Sequence, residues 1–146
     1  MYKKIILASF LLSPLANVFA ACTFQSVQTI TFGCAPTSAS GCLDTSTFGV
    51  RCGAITPVTM TLSTGQSASY SPRKMYDSSQ SLYLDYNVYL TANQSQIFGD
   101  GAQGTYTITA SIPRNKTKTY TLYSYVLSST VLAGSYTDSL ILTMNY

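Results

Sequence analysis

The chain has 146 residues, with eight Lys/Arg against five Asp/Glu, no histidine and a formal net charge of +3. So small a charge supplies no long-range field to steer a nucleic acid, and the absence of histidine removes the usual general base at neutral pH. With Ser, Thr, Gly and Tyr abundant and helix formers scarce, the composition favours strands over helices.

The chain opens with Lys3 and Lys4, an apolar run from Ile5 to Ala16, and Val18 and Ala20 at the −3 and −1 positions of a cleavage after Ala20. That is the pattern of a secretory signal peptide over residues 1–20. The run is shorter than the roughly 20 apolar residues of a membrane-spanning helix, which argues against a retained anchor. Phe19 stands where lipidation of Cys22 would want an aliphatic residue, and lipidation would leave an odd number of cysteines. Removal of residues 1–20 leaves 126 residues, one domain with a core of its own over 21–146, carrying six Lys/Arg against five Asp.

Beyond the signal, alternation with period two predicts strands at 24–32, 45–52, 56–62, 81–90, 106–112, 120–126 and 140–146. In 81–90, Leu82, Leu84, Tyr86, Val88 and Leu90 face one way and Tyr83, Asp85, Asn87 and Tyr89 the other. In the last segment Leu140, Leu142, Met144 and Tyr146 alternate with Ser139, Ile141, Thr143 and Asn145. Gly- and Pro-containing turns at 36–41, 65–72, 99–101, 113–115 and 133–134 separate the runs. About seven short strands with turns between them predict an antiparallel β-sandwich rather than βαβ units.

Cys22, Cys34, Cys42 and Cys52 form an even set in an exported chain, which predicts two disulfides in an oxidising compartment and leaves three pairings open. No C-x-x-C spacing and no histidine occur, so a zinc site is not expected. The five aspartates show no pairing suited to acid–base work. Asp100 sits between two glycines, where a tight turn wants it, and Asp138 reads as part of a turn leading into a strand. Gly99-Asp100-Gly101 with Gly104 lacks the lysine and the helix of a phosphate loop. The expectation is therefore no enzyme, no metal and no cofactor. Arg114, Lys116 and Lys118 alternate and are a candidate contact for anionic polysaccharide or lipid, the plainer alternative being a solvated edge that discourages aggregation. Tyr83, Tyr89, Tyr123 and Tyr125 stand on the less apolar strand faces, where tyrosine stacks on sugars, anchors a protein contact or packs across strands.

Taken in order, several of these pieces resemble the spore coat protein U domain family, which includes subunits of archaic chaperone–usher pili. They are Cys22, Phe32-Gly33 and Cys52 at a strand end; Arg73 and Met75 in SPRKM; Leu84-Asp85-Tyr86-Asn87-Val88-Tyr89; Phe98-Gly99-Asp100-Gly101, with Phe98 where the family often has Trp; and Leu132-Ala133-Gly134-Ser135-Tyr136-Thr137-Asp138-Ser139 running into ILTMNY. The resemblance covers essentially the whole chain beyond the signal. It implies a Cys22–Cys52 bridge, leaving Cys34–Cys42 as a second bridge within a loop.

It further implies an incomplete immunoglobulin-like sandwich whose open groove is filled first by a periplasmic chaperone and then, at an usher, by an N-terminal strand from another pilin subunit. Leu140, Leu142, Met144 and Tyr146 are the expected groove contacts. The predicted function is an exported structural subunit of a surface pilus in adhesion and biofilm formation, meeting a host or abiotic surface. No nucleic acid is expected as a partner, and no membrane once the signal is removed. Shaft subunits of the family carry a donor extension ahead of the first cysteine. Here only Ala21 would precede Cys22, which predicts a place at the tip. The alternatives are a self-contained spore-coat-like or glycan-binding module, and an exported hydrolase, which the missing histidine disfavours.

Overall fold

A computed structural model describes residues 21–32, 41–126 and 133–146. The expected signal segment and Cys34 lie outside the described residues. Among them are eight strands: β1 (Cys22–Gln25), β2 (Cys42–Cys52), β3 (Thr56–Leu62), β4 (Arg73–Asp77), β5 (Leu82–Tyr89), β6 (Ile108–Ile112), β7 (Thr117–Val126) and β8 (Leu142–Asn145). All pair antiparallel, in a five-stranded sheet of order β1-β2-β7-β5-β4 and a three-stranded sheet of order β6-β3-β8. The core fills the space between the sheets. Phe48, Val50, Val88, Leu122 and Val126 come from one side and Val58, Met60 and Ile112 from the other.

Strand β3 has the predicted bounds because its alternation is strict: Thr56, Val58, Met60 and Leu62 are buried and the residues between them are not. The expected strand 24–32 is cut short. Ser26 takes a left-handed φ of 48°, a conformation that ends strand pairing, so β1 stops at Gln25. The chain then runs on without strand pairing while the Gln28 N–H donates to the Thr47 carbonyl at 3.0 Å and Ile30 and Phe32 pack against the core. Strand β4 was not among the predicted elements, because its first two residues are Arg73 and Lys74 and its pattern does not read as apolar alternation.

Cys22 and Cys52 are bonded, joining the first residue of β1 to the last of β2 at a Cα–Cα distance of 4.1 Å. Cys42 is also disulfide-bonded. The expected second bridge falls on Cys34, outside the described residues. Among the described residues no helix is long and apolar enough to cross a membrane.

Candidate functional site: an apolar cleft beside an unpaired strand edge

At the end of the sandwich where β3 finishes and β7 finishes, the sheets part around a cleft of about 620 Å³. Phe48, Leu84 and Leu122 line it from the five-stranded sheet, Leu142 from the three-stranded sheet, and Ile30 and Phe32 from the segment after β1. Phe32 meets the ring of Tyr86 edge-on at 6.2 Å.

β8 borders this cleft as the last strand of its sheet, and among the described residues only β3 pairs with it. The Ser63 N–H donates to the Ile141 carbonyl at 3.0 Å. Hydrogen-bonded pairs alternate along an antiparallel ladder, so Thr143 and Asn145 also turn their main-chain groups toward β3. Those of Leu142 and Met144 then face the free edge, while their side chains pack against the core.

The structure brings three of the four expected groove residues together. Leu140, Leu142 and Met144 are half-buried against the core, and Leu140 and Leu142 line the cleft. Tyr146 lies past the end of β8 and is 63% exposed. Ile141, on the other face, is 68% exposed, which fixes the inward side of this strand.

Two aspartates hold the chain that leads into β8. The Asp138 carboxylate accepts from the Gln66 N–H at 2.9 Å and from the Tyr86 hydroxyl at 2.6 Å. Burial first, and then this bond to Asp138, push the Tyr86 hydroxyl well above the usual tyrosine range. Gly65, at a φ of +70°, lies so close that a Cβ there would strike the Asp138 carboxylate. Asp77, at the end of β4, accepts from the Ser79 hydroxyl at 2.6 Å, the Ser79 N–H at 2.8 Å and the Ser135 N–H at 2.7 Å. The Ser79 hydroxyl is the main reason its carboxyl is held below the usual range. Between these anchors Tyr76 and Thr137 exchange main-chain bonds of 2.9 and 3.0 Å. Residues 134–138 thus bridge from the edge of one sheet to the edge of the other. Both carboxylates are engaged in positioning backbone, and among the described residues no group of three His, Cys, Asp or Glu could hold a metal ion.

The remaining candidates fall apart as a set. Tyr83 is 59% exposed, its ring 4.9 Å from that of Tyr76. Tyr89, expected at the surface, is 8% exposed. The loop after β5 folds back over it, with the Phe98 N–H donating to the Val88 carbonyl at 2.9 Å and Leu90 bonding Gln96 at 2.9 Å. Arg114, Lys116 and Lys118 are all exposed, at the opposite end of the sandwich from the cleft. The sequence reading missed the cleft wall formed by Ile30 and Phe32 and the anchoring role of Asp77. The apolar, alternating Ile30-Thr31-Phe32 was a signal for the first, but it was read as a strand. For the second there was no signal, because the Ser135 N–H that Asp77 anchors lies 58 residues along the chain.

The sequence model of the Spore Coat Protein U domain family matches residues 6–143. No curated protein matches the chain in sequence. Among solved structures, it is similar to a chain of the CsuC–CsuE chaperone–tip adhesion subunit pre-assembly complex from archaic chaperone–usher Csu pili of Acinetobacter baumannii, with 18% identity and a TM-score of 0.65 over 88% of this chain and 40% of that one. It is also similar to a chain of a chaperone–tip adhesin complex of CFA/I fimbriae biogenesis, with 10% identity and a TM-score of 0.54 over 84% of this chain and 40% of that one. The chain spans about 40% of the length of each of these neighbours, and at such identity the likeness is one of fold.

Proposed function

The chain belongs to the spore coat protein U domain family, and from that premise we propose that it is an exported, non-enzymatic structural subunit of a chaperone–usher-type surface fibre that accepts a strand along β8. The observation that carries this reading is the apolar cleft beside a strand edge whose Leu142 and Met144 main-chain groups face away from β3. Such an edge invites pairing with any extended chain and is an aggregation hazard unless something covers it. Strand addition covers it with main-chain hydrogen bonds, while the cleft takes alternate side chains of the added strand.

The partners are then a periplasmic chaperone, an usher and another subunit that donates its strand, on a route through the inner membrane to the periplasm and the cell surface. A place at the fibre tip is supported by the two structural neighbours, both described as chaperone–tip subunit complexes, and adhesion and biofilm formation are the role proposed for it there.

Co-expression with the cognate chaperone tests the reading. The expected result is a stoichiometric complex, with little soluble subunit when the chaperone is omitted. A chain that is equally soluble, monomeric and stable alone would exclude strand acceptance. For the tip assignment, mass spectrometry of the mature N-terminus is decisive. A start at Ala21 leaves no donor strand, and a start well upstream supplies one.

One observation favours a second reading, a self-contained binding module. Ile30 and Phe32 already occupy one wall of the cleft and pack on the core. Reversible refolding as a monomer would mark that case.

A further inference from the structure

The six Lys/Arg beyond residue 20 are Arg51, Arg73, Lys74, Arg114, Lys116 and Lys118. Arg73 is fully buried, and Lys74 is paired with Asp85 at 2.6 Å. The other four are exposed, and among the described residues none makes an ion pair or a side-chain hydrogen bond. They also gather at one end of the sandwich. Arg51 lies opposite Thr117 in the β2–β7 register and shares its face, Lys118 lies opposite Val50 on the other face of that sheet, and Arg114 forms a bridge with Cys52.

The aspartates are held at the other end. Asp44 lies opposite Ser124, Asp77 and Asp85 sit on the far half of the β4–β5 hairpin, and Asp138 bonds Tyr86. Asp100 follows Gly99, whose carbonyl accepts from Leu62 at the end of β3. A nearly neutral molecule therefore presents a pole of four unpaired cations with no carboxylate among them.

That pole is rigidly built. The disulfide ties β1 to β2 beside it. In the β6–β7 turn Asn115 takes a φ of 55° and donates its N–H to the Cys52 carbonyl at 2.9 Å, and the Lys116 N–H donates to the Pro113 carbonyl at 3.2 Å. Alternate residues of an extended chain stand about 6.6 Å apart, so Lys116 and Lys118 offer charge at a regular interval rather than at one point. Around them Thr23, Asn115, Thr117 and Thr119 are exposed and supply hydroxyl and amide partners.

We propose that this cationic pole, at the opposite end of the sandwich from the cleft, is a binding site for an acidic polysaccharide, a linear chain of carboxylate- or sulfate-bearing sugars. Two features favour a glycan over other polyanions. Single-stranded nucleic acid wants aromatic platforms for its bases. The one ring against this cluster, Tyr120, stacks on Phe48 at 5.3 Å and is covered by the Lys118 ammonium at 5.6 Å. A membrane surface wants a broad apolar face beside the cations, and the neighbouring β2–β3 turn offers the single exposed side chain of Ile55.

The test is binding of the full exported chain, disulfides intact, to immobilised heparin and alginate at several NaCl concentrations. Neutral dextran, single-stranded DNA and phosphatidylglycerol-containing vesicles serve as comparisons. Expected is retention on both acidic glycans and none on dextran, with a log–log salt slope that falls by about one for each cation removed. The pairs Lys116→Gln/Lys118→Gln and Arg51→Gln/Arg114→Gln should weaken binding separately, and Lys116→Arg/Lys118→Arg should restore it. All of these positions are exposed, and an unchanged urea midpoint confirms that each variant is folded. Equal binding to dextran, binding unaltered in both Gln pairs, or tighter binding to DNA or vesicles than to the glycans would overturn the proposal.

Discussion

The Arg73 guanidinium donates to the Asn87 side-chain carbonyl at 2.7 Å, inside the protein, with no carboxylate within hydrogen-bonding distance. Its other donors reach the Ser63 carbonyl at 3.0 and 2.9 Å and the Phe98 carbonyl at 2.6 Å, and the Tyr70 ring lies 5.0 Å from its central carbon. Asn87 passes the connection on, donating to the Tyr70 carbonyl at 2.6 Å. One side chain thus fastens two loops, the one from β3 to β4 at Ser63 and the one from β5 to β6 at Phe98, to β4 and β5, using the planar fork that lysine lacks. Burial pulls the Arg73 pKa down, as it must when a charge is held by neutral acceptors. Arg73→Met strands these acceptors and should cost about 3 kcal/mol of stability, read as a lowered urea midpoint, with Arg73→Lys rescuing little. An unchanged midpoint would mean that water replaces the fork.

The same anchors give the fold a pH dependence at both ends. Asp77 titrates below its ordinary value of 3.8, mainly through the Ser79 hydroxyl. Its contribution is present above that value and is lost as pH falls through the folded-state pKa. Tyr86 titrates above its ordinary value of 10.0, mainly through burial. Its contribution is complete below pH 10.0 and is lost as pH rises beyond it. Urea midpoints across pH should therefore show a plateau with two falling limbs. Asp77→Asn should flatten the acid limb, which Asp100 shares, and Tyr86→Phe the alkaline one, which Tyr70, Tyr89, Tyr120 and Tyr136 share. Limbs of unchanged slope would sink the assignment.

The Cys22–Cys52 bridge closes a loop with a sequence separation of 30. Chain entropy assigns such a loop about 3–4 kcal/mol. Replacing both cysteines by alanine should lower the urea midpoint accordingly and loosen β1, an edge strand whose sole strand partner among the described residues is β2. Hydrogen exchange should then accelerate first at Thr23 and Gln25, whose N–H groups face β2. Uniform acceleration across both sheets would instead mean that the bridge holds the whole sandwich.

Ser124 is fully buried on β7, and its hydroxyl finds no partner among the described residues. A buried orphan hydroxyl costs desolvation without return. Ser124→Ala should therefore raise stability by about 1 kcal/mol. A loss of stability would show that the hydroxyl is bonded in solution, to water for instance.

The sandwich was legible wherever one face of a strand is buried and the other wet, as along β3, because period two then survives in the residue types. It failed where both faces are covered. By parity Asn87 and Tyr89 share the less apolar face, yet the Tyr70 carbonyl and the loop after β5 cover that side too. Arg73 was invisible as a core residue, since its burial depends on acceptors from Ser63 and Phe98 that no local pattern announces. Of the cleft, the apolar face of β8 was readable. The wall from Ile30 and Phe32 was not, because a single left-handed residue, Ser26, decides where β1 ends.

The register of β8 makes a prediction about proline that separates folding from strand acceptance. The Met144 N–H faces the free edge and the Thr143 N–H faces β3. Proline is tolerated on an edge strand where its missing N–H points away from the ladder. Met144→Pro should therefore leave the β3–β8 pairing in place, with only the loss of a half-buried side chain, yet remove a donor that an added strand needs. Thr143→Pro breaks the existing ladder and should destabilise the fold by about 1–3 kcal/mol. Co-expression with the chaperone, alongside the urea midpoint of each variant, reads both effects. Met144→Pro should fold but be captured poorly, whereas Ile141→Lys, on the exposed face, should be captured as well as the parent chain. If Met144→Pro is captured normally, the acceptor edge lies elsewhere in the sandwich. Should Thr143→Pro prove the milder change for folding, the main-chain groups facing the cleft are those of Thr143 and Asn145 instead.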